Sequence, residues 1–169
     1  KHVAFAAPYP GTIIPMSLSE LGGDIIVQRD AFLCAALGTK ISITFSKKLG
    51  AGFFGGEGFI LQRLQGDGNA FIHAGGTMIE KELNNEVLKV DTGCIVGFEP
   101  SIDYSIQQAG GMRSMLFGGE GIFLATLRGT GKVWLQSMPI RKLIAELSPG
   151  GGNTRKESRG GLLNNLLEG

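Results

Sequence analysis

The 169-residue sequence lacks an excess of either charge and lacks any long apolar run. Its formal net charge is +1, and no block of five or more like charges is present. A nucleic-acid footprint needs clustered lysine and arginine, so nucleic acid is not a favoured partner. No run reaches the roughly 18 consecutive apolar residues that span a bilayer. No signal peptide is visible, but the chain opens on Lys1, so we expect an upstream segment, and any targeting signal with it, to be missing.

Cysteine and histidine are scarce. The two cysteines, Cys34 and Cys94, lie within apolar runs and lack the spacing of a redox or metal motif. They predict two buried thiols in a reducing compartment rather than a disulfide. The only histidines are His2 and His73, whereas a cupin-type metal centre needs two or three histidines and a carboxylate that converge in one barrel. We therefore predict no metal and no other cofactor.

Glycine is what the sequence has in excess. The 28 glycines amount to about twice the usual share. They follow no collagen period, so they predict many tight turns between short strands. A hydrophobic share of 43% beside 18% charged residues is typical of a folded globular protein, and the length suits one ordinary domain or two small ones.

A repeat with a spacing of 63 residues is the most informative pattern. The stretch FFGGEGFILQRLQGDG begins at Phe53, and LFGGEGIFLATLRGTG begins at Leu116. Aligned without a gap, blocks 23–74 and 86–137 share twelve identities in 52 positions. A gapless self-match with the same apolar pattern indicates a duplicated structural unit.

The repeat predicts a division of the chain into four parts. Residues 23–85 and 86–147 form two β units, and residues 148–169 form a flexible, glycine-rich tail. Residues 1–22 resemble the last strand of a preceding unit followed by a connector. We therefore expect a three-copy protein whose first copy is largely absent from this sequence.

The local pattern is β almost throughout. KISITF (40–45) alternates apolar and polar residues, as a half-buried strand does, and strand signals recur along the chain. Their spacing of roughly 8–12 residues predicts an all-β sandwich or barrel. The exception is PIRKLIAEL (139–147), which has good helix formers and no glycine. Because it follows a strand pattern, a helix and a continued strand both stay open there.

Two short motifs suggest chemistry that their context does not support. KVDTGC (89–94) contains the Asp-Thr-Gly of aspartic proteases, which need two carboxylates that share a proton. Asp91 has Gln28 as its repeat partner, so the second carboxylate is lacking and a polar turn is the favoured interpretation. The GGEG glycines open strands instead of helices, unlike those of a nucleotide-binding loop. No Ser-His-Asp set and no GxSxG motif is visible, so we predict no catalytic residues.

Three residues are the candidates for binding. Glu57 and Glu120 occupy equivalent places in the repeat, so a pseudo-symmetric fold would bring them together around an axis. Their carboxylates would then form a ring of acidic side chains that surrounds a pore or binds an ion. The alternative, which we favour, is a turn glutamate that accepts backbone N–H bonds and orders a glycine loop. His73 has Gln136 as its repeat partner, which indicates a hydrogen-bonding position and not a metal ligand.

The paired GGEG blocks and the stretch GTGKVWLQSMP resemble a known family, named after altered inheritance of mitochondria, twenty-fourth member. The resemblance covers roughly residues 1–147. It implies an all-β fold similar to the tryptophan RNA-binding attenuator protein, with repeated β units in a pseudo-threefold sandwich or barrel-like array. It also implies a further β unit before this chain. Mitochondrial members are linked to inner-membrane organisation, and no catalytic residues are established for the family.

These observations predict a non-enzymatic β-rich scaffold or binding protein with a role in membrane-associated or organellar organisation. We expect self-association through strand edges or apolar faces, a protein or membrane partner, and no specific small molecule. The chain should be cytoplasmic, or mitochondrial in a eukaryote. Two alternatives stay open: nucleic-acid binding, which rests on the fold analogy alone, and a cupin-type site for a small ligand or metal.

Overall fold

The computed structural model describes residues 2–47, 58–109 and 122–147. Within them the chain is nearly all β, and its antiparallel sheets curl into a half-barrel. The all-β fold class predicted from the sequence is therefore confirmed. The likeness to the tryptophan RNA-binding attenuator protein stays a prediction.

The strands are numbered in chain order. Before residue 76 they are β1 (Gly11–Ser17), β2 (Asp24–Gln28), β3 (Phe32–Ala35), β4 (Lys40–Lys47), β5 (Phe59–Gln65) and β6 (Asn69–Gly75). After it come β7 (Met78–Asp91), β8 (Ile95–Phe98), β9 (Asp103–Ala109), β10 (Ile122–Gln136) and the helix α1 (Ile140–Leu147). Short 3₁₀ turns, Arg29–Ala31 and Thr92–Cys94, follow β2 and β7.

The strands form two antiparallel sheets. A three-stranded sheet has the order β1-β6-β3. A seven-stranded sheet has the order β4-β5-β2-β8-β10-β7, and β9 also pairs with β10. β10 is long enough to pair with β7 over most of its length and with β8 and β9 on its other edge. The longest strand therefore organises the second half of the chain.

The sequence repeat corresponds to a repeated pattern of strand pairing. The two 3₁₀ turns begin 63 residues apart. β5 pairs with β2 and β4, and the first half of β10 pairs in the same way with the end of β7 and with β9. The registers agree as well, since Gln28 lies opposite Leu61 and Asp91 lies opposite Leu124. Each block thus repeats the same pairing, whereas the predicted unit boundaries stay predictions.

The connection that precedes each block differs between the two. In the first block, residues 18–23 turn between β1 and β2, and Gly22 and Gly23 adopt φ angles of 75° and 85°. Glycine adopts such positive φ angles without steric cost. In the second block, β7 continues through the equivalent region as one strand of 14 residues that pairs with β10. The first block therefore has a turn where the second has a strand with a bulge at Asn85, whose φ is 55° and which is the equivalent of Gly22.

α1 is the segment that the sequence left open between helix and strand. It begins after Pro139, whose carbonyl accepts a hydrogen bond from the backbone N–H of Leu143 at 3.2 Å. Proline is favoured at a helix start, and the segment contains no glycine, which together favour the helix. Lys142 pairs with Asp91 at 3.2 Å and so holds α1 near the end of β7. The predicted tail, residues 148–169, lies outside the described residues.

Two apolar clusters form the core, and each contains residues from both blocks. In one, Phe59 and Leu61 of β5 pack with Phe98 of β8. In the other, Ile25 of β2 packs with Trp134 of β10. Direct pairing of β2 with β8 joins the blocks at the backbone. The two β units therefore share their core and do not fold around separate ones.

Candidate functional site

The two glutamates of the repeat, Glu57 and Glu120, lie outside the described residues. Their predicted roles, as paired acids around an ion or as acceptors that order a turn, stay predictions. The residue after Glu57 is described: Gly58 is buried and has a φ of 84°. Residues other than glycine rarely adopt this backbone conformation. The conformation at position 58 therefore favours glycine, the last residue of the first GGEG motif.

His73 lies on β6, the central strand of the three-stranded sheet. Its side chain is 1% exposed, and Ile13 of β1 is its strand partner. The ring of Tyr9 meets the imidazole edge-on, with 4.5 Å between ring centroids. A Cβ on Gly11 would lie 2.5 Å from Nε2 of His73 and 2.1 Å from the carbonyl oxygen of Ala74. The close approach of β1 therefore requires glycine beside the histidine.

Burial determines the charge of His73. It lowers the pKa of the imidazole below its usual value, and the nearby backbone of Tyr9 opposes this shift only in part. Neither ring nitrogen has a hydrogen-bond partner within the described part of the chain. The hydrogen bond expected from the repeat is therefore not found there, and the ring is neutral near pH 7.

Gln136, the repeat partner of His73, makes hydrogen bonds that His73 lacks. Its Oε1 accepts a bond from the backbone N–H of Gly75 at 2.8 Å. Its Nε2 donates to the backbone carbonyl of Gly93 at 2.7 Å. Gly75 ends β6, and Gly93 lies in the second 3₁₀ turn, so the side chain ties the two blocks together. At the equivalent place His73 contributes packing instead.

Asp91 and its repeat partner Gln28 both serve as turn caps. Oδ1 of Asp91 accepts a bond from the backbone N–H of Gly93 at 2.8 Å. Oε1 of Gln28 accepts bonds from the backbone N–H groups of Asp30 at 2.6 Å and Ala31 at 3.1 Å. Each side chain thus accepts hydrogen bonds from backbone N–H groups at the start of a 3₁₀ turn. The polar turn predicted for the Asp-Thr-Gly motif is confirmed.

Both cysteines are free and only partly buried. The preference for thiols over a disulfide is therefore confirmed, whereas the predicted burial is only partial. Burial raises the pKa of Cys94, Asp91 adds to the rise, and Lys142 opposes it. A thiol with a raised pKa is a poor nucleophile near neutral pH. Cys34 lies on β3, beside an apolar groove.

The apolar groove runs along β3 and has a volume of about 680 Å³. We define it by the side chains of Val3, Phe5, Ile13, Leu33, Cys34 and Phe71. Val3 is 78% exposed and Phe5 is 60% exposed. A concave surface that leaves several large apolar side chains in water is typical of a binding site. The groove is therefore the strongest candidate for a functional surface in the described part of the chain.

Local sequence patterns could not predict this groove. An apolar strand has the same sequence pattern whether or not another strand lies beside it. The repeat provides a sequence signal for the groove, because it makes β3 and β8 equivalent strands. All four residues of β8 are buried, whereas all four residues of β3 are only partly buried. A comparison of repeat partners, combined with strand pairing, identifies the surface.

A second, smaller cavity of about 250 Å³ lies between β1, β7 and β10. One carboxylate oxygen of Glu80 accepts a bond from Nε1 of Trp134, and the other pairs with Nζ of Lys132, both at 2.9 Å. The two partners lower the pKa of Glu80, Lys132 more than Trp134. Glu80 and Lys132 in this cavity therefore satisfy each other, and the cavity is smaller than the groove, which makes it a weaker candidate.

Residues 2–47, 58–109 and 122–147 contain neither a cluster of metal-ligating side chains nor a membrane-spanning helix. No group of three or more His, Cys, Asp or Glu side chains in these ranges is placed to hold a metal ion. No helix in the same ranges has the length and apolar character needed to cross a bilayer.

The fold is similar to that of a Streptococcus pyogenes protein whose crystal structure came from a structural genomics consortium. The TM-score is 0.70 at 22% sequence identity, and the match covers 84% of this chain and 61% of that protein. The chain thus spans about three fifths of the length of that protein. At this identity the similarity shows the fold alone. No curated protein matches the sequence.

A protein-family model shows the family of the chain, which the fold comparison alone does not show. The model described as mitochondrial biogenesis AIM24 matches residues 1–138, which is most of the sequence. The match confirms the family resemblance drawn from the GGEG blocks and the stretch that follows them. The chain therefore belongs to the mitochondrial biogenesis AIM24 family.

Proposed function

We propose that this AIM24 family member is a non-enzymatic β-rich scaffold or binding protein that acts by associating with other protein surfaces, its own included. The unequal burial of β3 and β8 carries this proposal. β8 has neighbouring strands on both sides, whereas β3 has one on a single side within the described residues. An open strand edge beside an apolar groove is suited to bind a further strand.

The character of the groove supports a protein partner. Val3, Phe5 and Ile13 are its most exposed apolar side chains. None of the described residues that line it is charged. A nucleic-acid backbone would need lysine or arginine there, so this surface disfavours the nucleic-acid alternative.

The biological setting is proposed from the family. Its description, mitochondrial biogenesis, supports a role in organellar or membrane-associated organisation. Fractionation of the native protein from its source cells tests this part of the proposal. Recovery with an organelle or membrane fraction supports it, and recovery only as free cytosolic protein contradicts it.

Sedimentation velocity of the purified chain over a wide concentration range tests the association itself. We expect the mean mass to rise with concentration. A Val3→Ser, Phe5→Ser double variant should remain monomeric at concentrations where the native chain associates. Removing one large apolar side chain from a buried interface costs roughly 1.5–3 kcal/mol, which weakens binding about tenfold or more.

Leu37→Ser is the matched control for this experiment. Leu37 is fully exposed and does not line the groove. Its replacement removes a large apolar side chain from the surface but should leave the association unchanged. A native chain that stays monomeric throughout, or equal effects of the two variants, would contradict the proposal.

A further inference from the structure

The cavity between β1, β7 and β10 combines apolar and charged side chains in a small space. Its volume of about 250 Å³ lies just below the roughly 300–1,000 Å³ that is usual for sites of drug-sized ligands. Met16, Met78 and the indole of Trp134 give it apolar surface, and Glu20 and other charged side chains line it as well. A small ligand with an apolar part and a charged part would suit such a cavity.

The strand edges beside this cavity are a regular feature of the repeat. Among the described strands, β1 pairs only with β6, and residues 78–84 of β7 pair only with β10. Both copies of this strand pair therefore have the same outer edge. Residues 14–17, 20 and 21 form one wall of the cavity, and β7 and β10 form the other. The cavity thus depends on the packing of β1 and the turn after it against the second block, within this chain.

The polar set of this cavity has no counterpart in the first block. Trp134 lies opposite Glu80 on β7, whereas Phe71, its repeat partner, lies opposite Pro15 on β1. Asn69 occupies the place of the lysine of the second block. The first block therefore forms the same kind of strand pair without the acid, the ammonium group or the indole. Strand pairing alone does not require these three side chains.

Negative charge prevails in and around the cavity. Lys132 is the only basic side chain that lines it, and Glu20 and Glu80 are the acidic ones. Nζ of Lys132 pairs with Glu80, whereas the carboxylate of Glu20 has no ion-pair partner in the described part of the chain. Glu80 raises the pKa of Lys132, and Glu99 and Glu82 add to this rise. One ammonium group thus faces several carboxylates, and a cation would complement the remaining charge.

We propose that this cavity binds a small organic cation, whose ammonium group lies beside the carboxylates of Glu20 and Glu80 and whose apolar part packs against Met16 and Met78. Glu20 supplies the charge that no other described side chain neutralises. The two thioether side chains are adaptable apolar surface that suits a small aliphatic group. This site is separate from the apolar groove and does not require self-association, so it goes beyond the proposed function.

The carboxylate of Glu80 is held in place before a ligand arrives. One of its oxygens accepts a bond from Nε1 of Trp134, and the other pairs with Nζ of Lys132. A carboxylate has about four acceptor sites, so these two contacts leave acceptor capacity for a further donor. Lys132 nevertheless competes with an incoming ammonium group for the same charge. Removal of Lys132 should therefore strengthen the binding of a cation, which a purely structural role of the ion pair does not predict.

Fluorescence titration with butylammonium tests the site, because Trp134 lines the cavity and is the only tryptophan of the chain. We expect a saturable change of the fluorescence. Butanol, a neutral molecule of similar size, and butyrate, an anion, should give no saturable change. A titration of N-acetyltryptophanamide corrects for direct quenching by each probe. No saturable response to butylammonium, or an equal or stronger response to butanol or butyrate, overturns the proposal.

Two substitutions should change the dissociation constant of butylammonium in opposite directions. Glu20→Gln should weaken binding about fivefold, because it removes one partly solvated ionic contact. Lys132→Gln should strengthen binding by a similar factor, because it removes the competing ammonium group. Glu86→Gln is the matched control, since Glu86 is an exposed carboxylate on β7 that does not line the cavity.

Urea denaturation verifies that each of these variants folds. Glu20 is exposed in the turn after β1, so Glu20→Gln should fold even if Lys132→Gln does not. An affinity of Glu20→Gln equal to that of Glu86→Gln overturns the proposal. Shifts of Glu20→Gln and Lys132→Gln in the same direction overturn it as well, because a cation site requires opposite signs.

Discussion

His73 is a buried imidazole, and its burial makes the stability of the fold depend on pH. Its pKa lies below the ordinary value of 6.5. As the pH falls through about 6.5, the unfolded chain takes up a proton that the folded chain resists, so the free energy of unfolding falls. Above that pH both states are neutral and the effect is absent. We expect the native chain to lose stability between about pH 7 and pH 5, and His73→Gln to lose less.

Urea denaturation at a series of pH values measures this slope. Glutamine is the residue that the second block has at the equivalent position, so the substitution suits the strand. His2→Gln is the matched control, because His2 is exposed and its replacement should leave the native slope unchanged. If His73→Gln keeps the native slope, another group is responsible for the pH dependence.

At the scale of elements, the 3₁₀ turn after β2 depends on one side-chain cap. Oε1 of Gln28 accepts bonds from the backbone N–H groups of Asp30 and Ala31, and the residue is 6% exposed. Gln28→Ala removes the acceptor from both donors, so the free energy of unfolding should fall by about 1–2 kcal/mol. Urea denaturation measures the loss.

Asp30→Ala is the control for the cap. The carboxylate of Asp30 pairs with Arg29 at the surface, 3.2 Å away. Exposed ion pairs of this kind contribute roughly 0–1 kcal/mol. This variant also removes the 3.2 Å hydrogen bond that Nε2 of Gln28 donates to Oδ2 of Asp30, but the backbone N–H of Asp30 and its bond to Oε1 of Gln28 remain. Losses of equal size in the two variants would show that the cap is not the main contribution of Gln28.

The sequence predicts elements well where contacts are local or repeated. The 63-residue spacing anticipates the equivalent strands and turns, and it identifies Gln28 and Asp91 as partners that turn out to cap the same kind of turn. The pairing of β2 with β8 could not be predicted, because it depends on how the units stack. For the same reason the open edge of β3 has no local signal. The packing of His73 against Tyr9 likewise needs the fold, since a histidine on a strand also suits a hydrogen bond.

At the scale of the whole molecule, the shared core should make unfolding a single cooperative transition. Leu64 of β5 and Trp134 of β10 belong to one apolar cluster but come from different blocks. Leu64 is fully buried, so Leu64→Ala should lower the free energy of unfolding by about 2–5 kcal/mol. Trp134 is the only tryptophan. In the Leu64→Ala variant, the unfolding transition measured by Trp134 fluorescence should therefore shift by as much as the transition measured by circular dichroism.

Ile79→Ala is the control for the shared core. Ile79 is half exposed on β7, so its truncation should shift both signals little. Suppose instead that Leu64→Ala splits the circular dichroism transition into two steps and the fluorescence of Trp134 follows only one. The two blocks would then unfold independently, and the core would not couple them.

The long course of β7, which has a single bulge at Asn85, gives the two blocks different mechanical properties. The strand has 14 residues, so it is roughly 46 Å long at about 3.3 Å per residue. β10 pairs with it from Met78 to Asp91, except at Asn85, where the register shifts. The same path in the first block is divided by the turn at Gly22 and Gly23. A force applied along the second block therefore meets a paired strand with one bulge, whereas in the first block it meets a turn, which bends more easily.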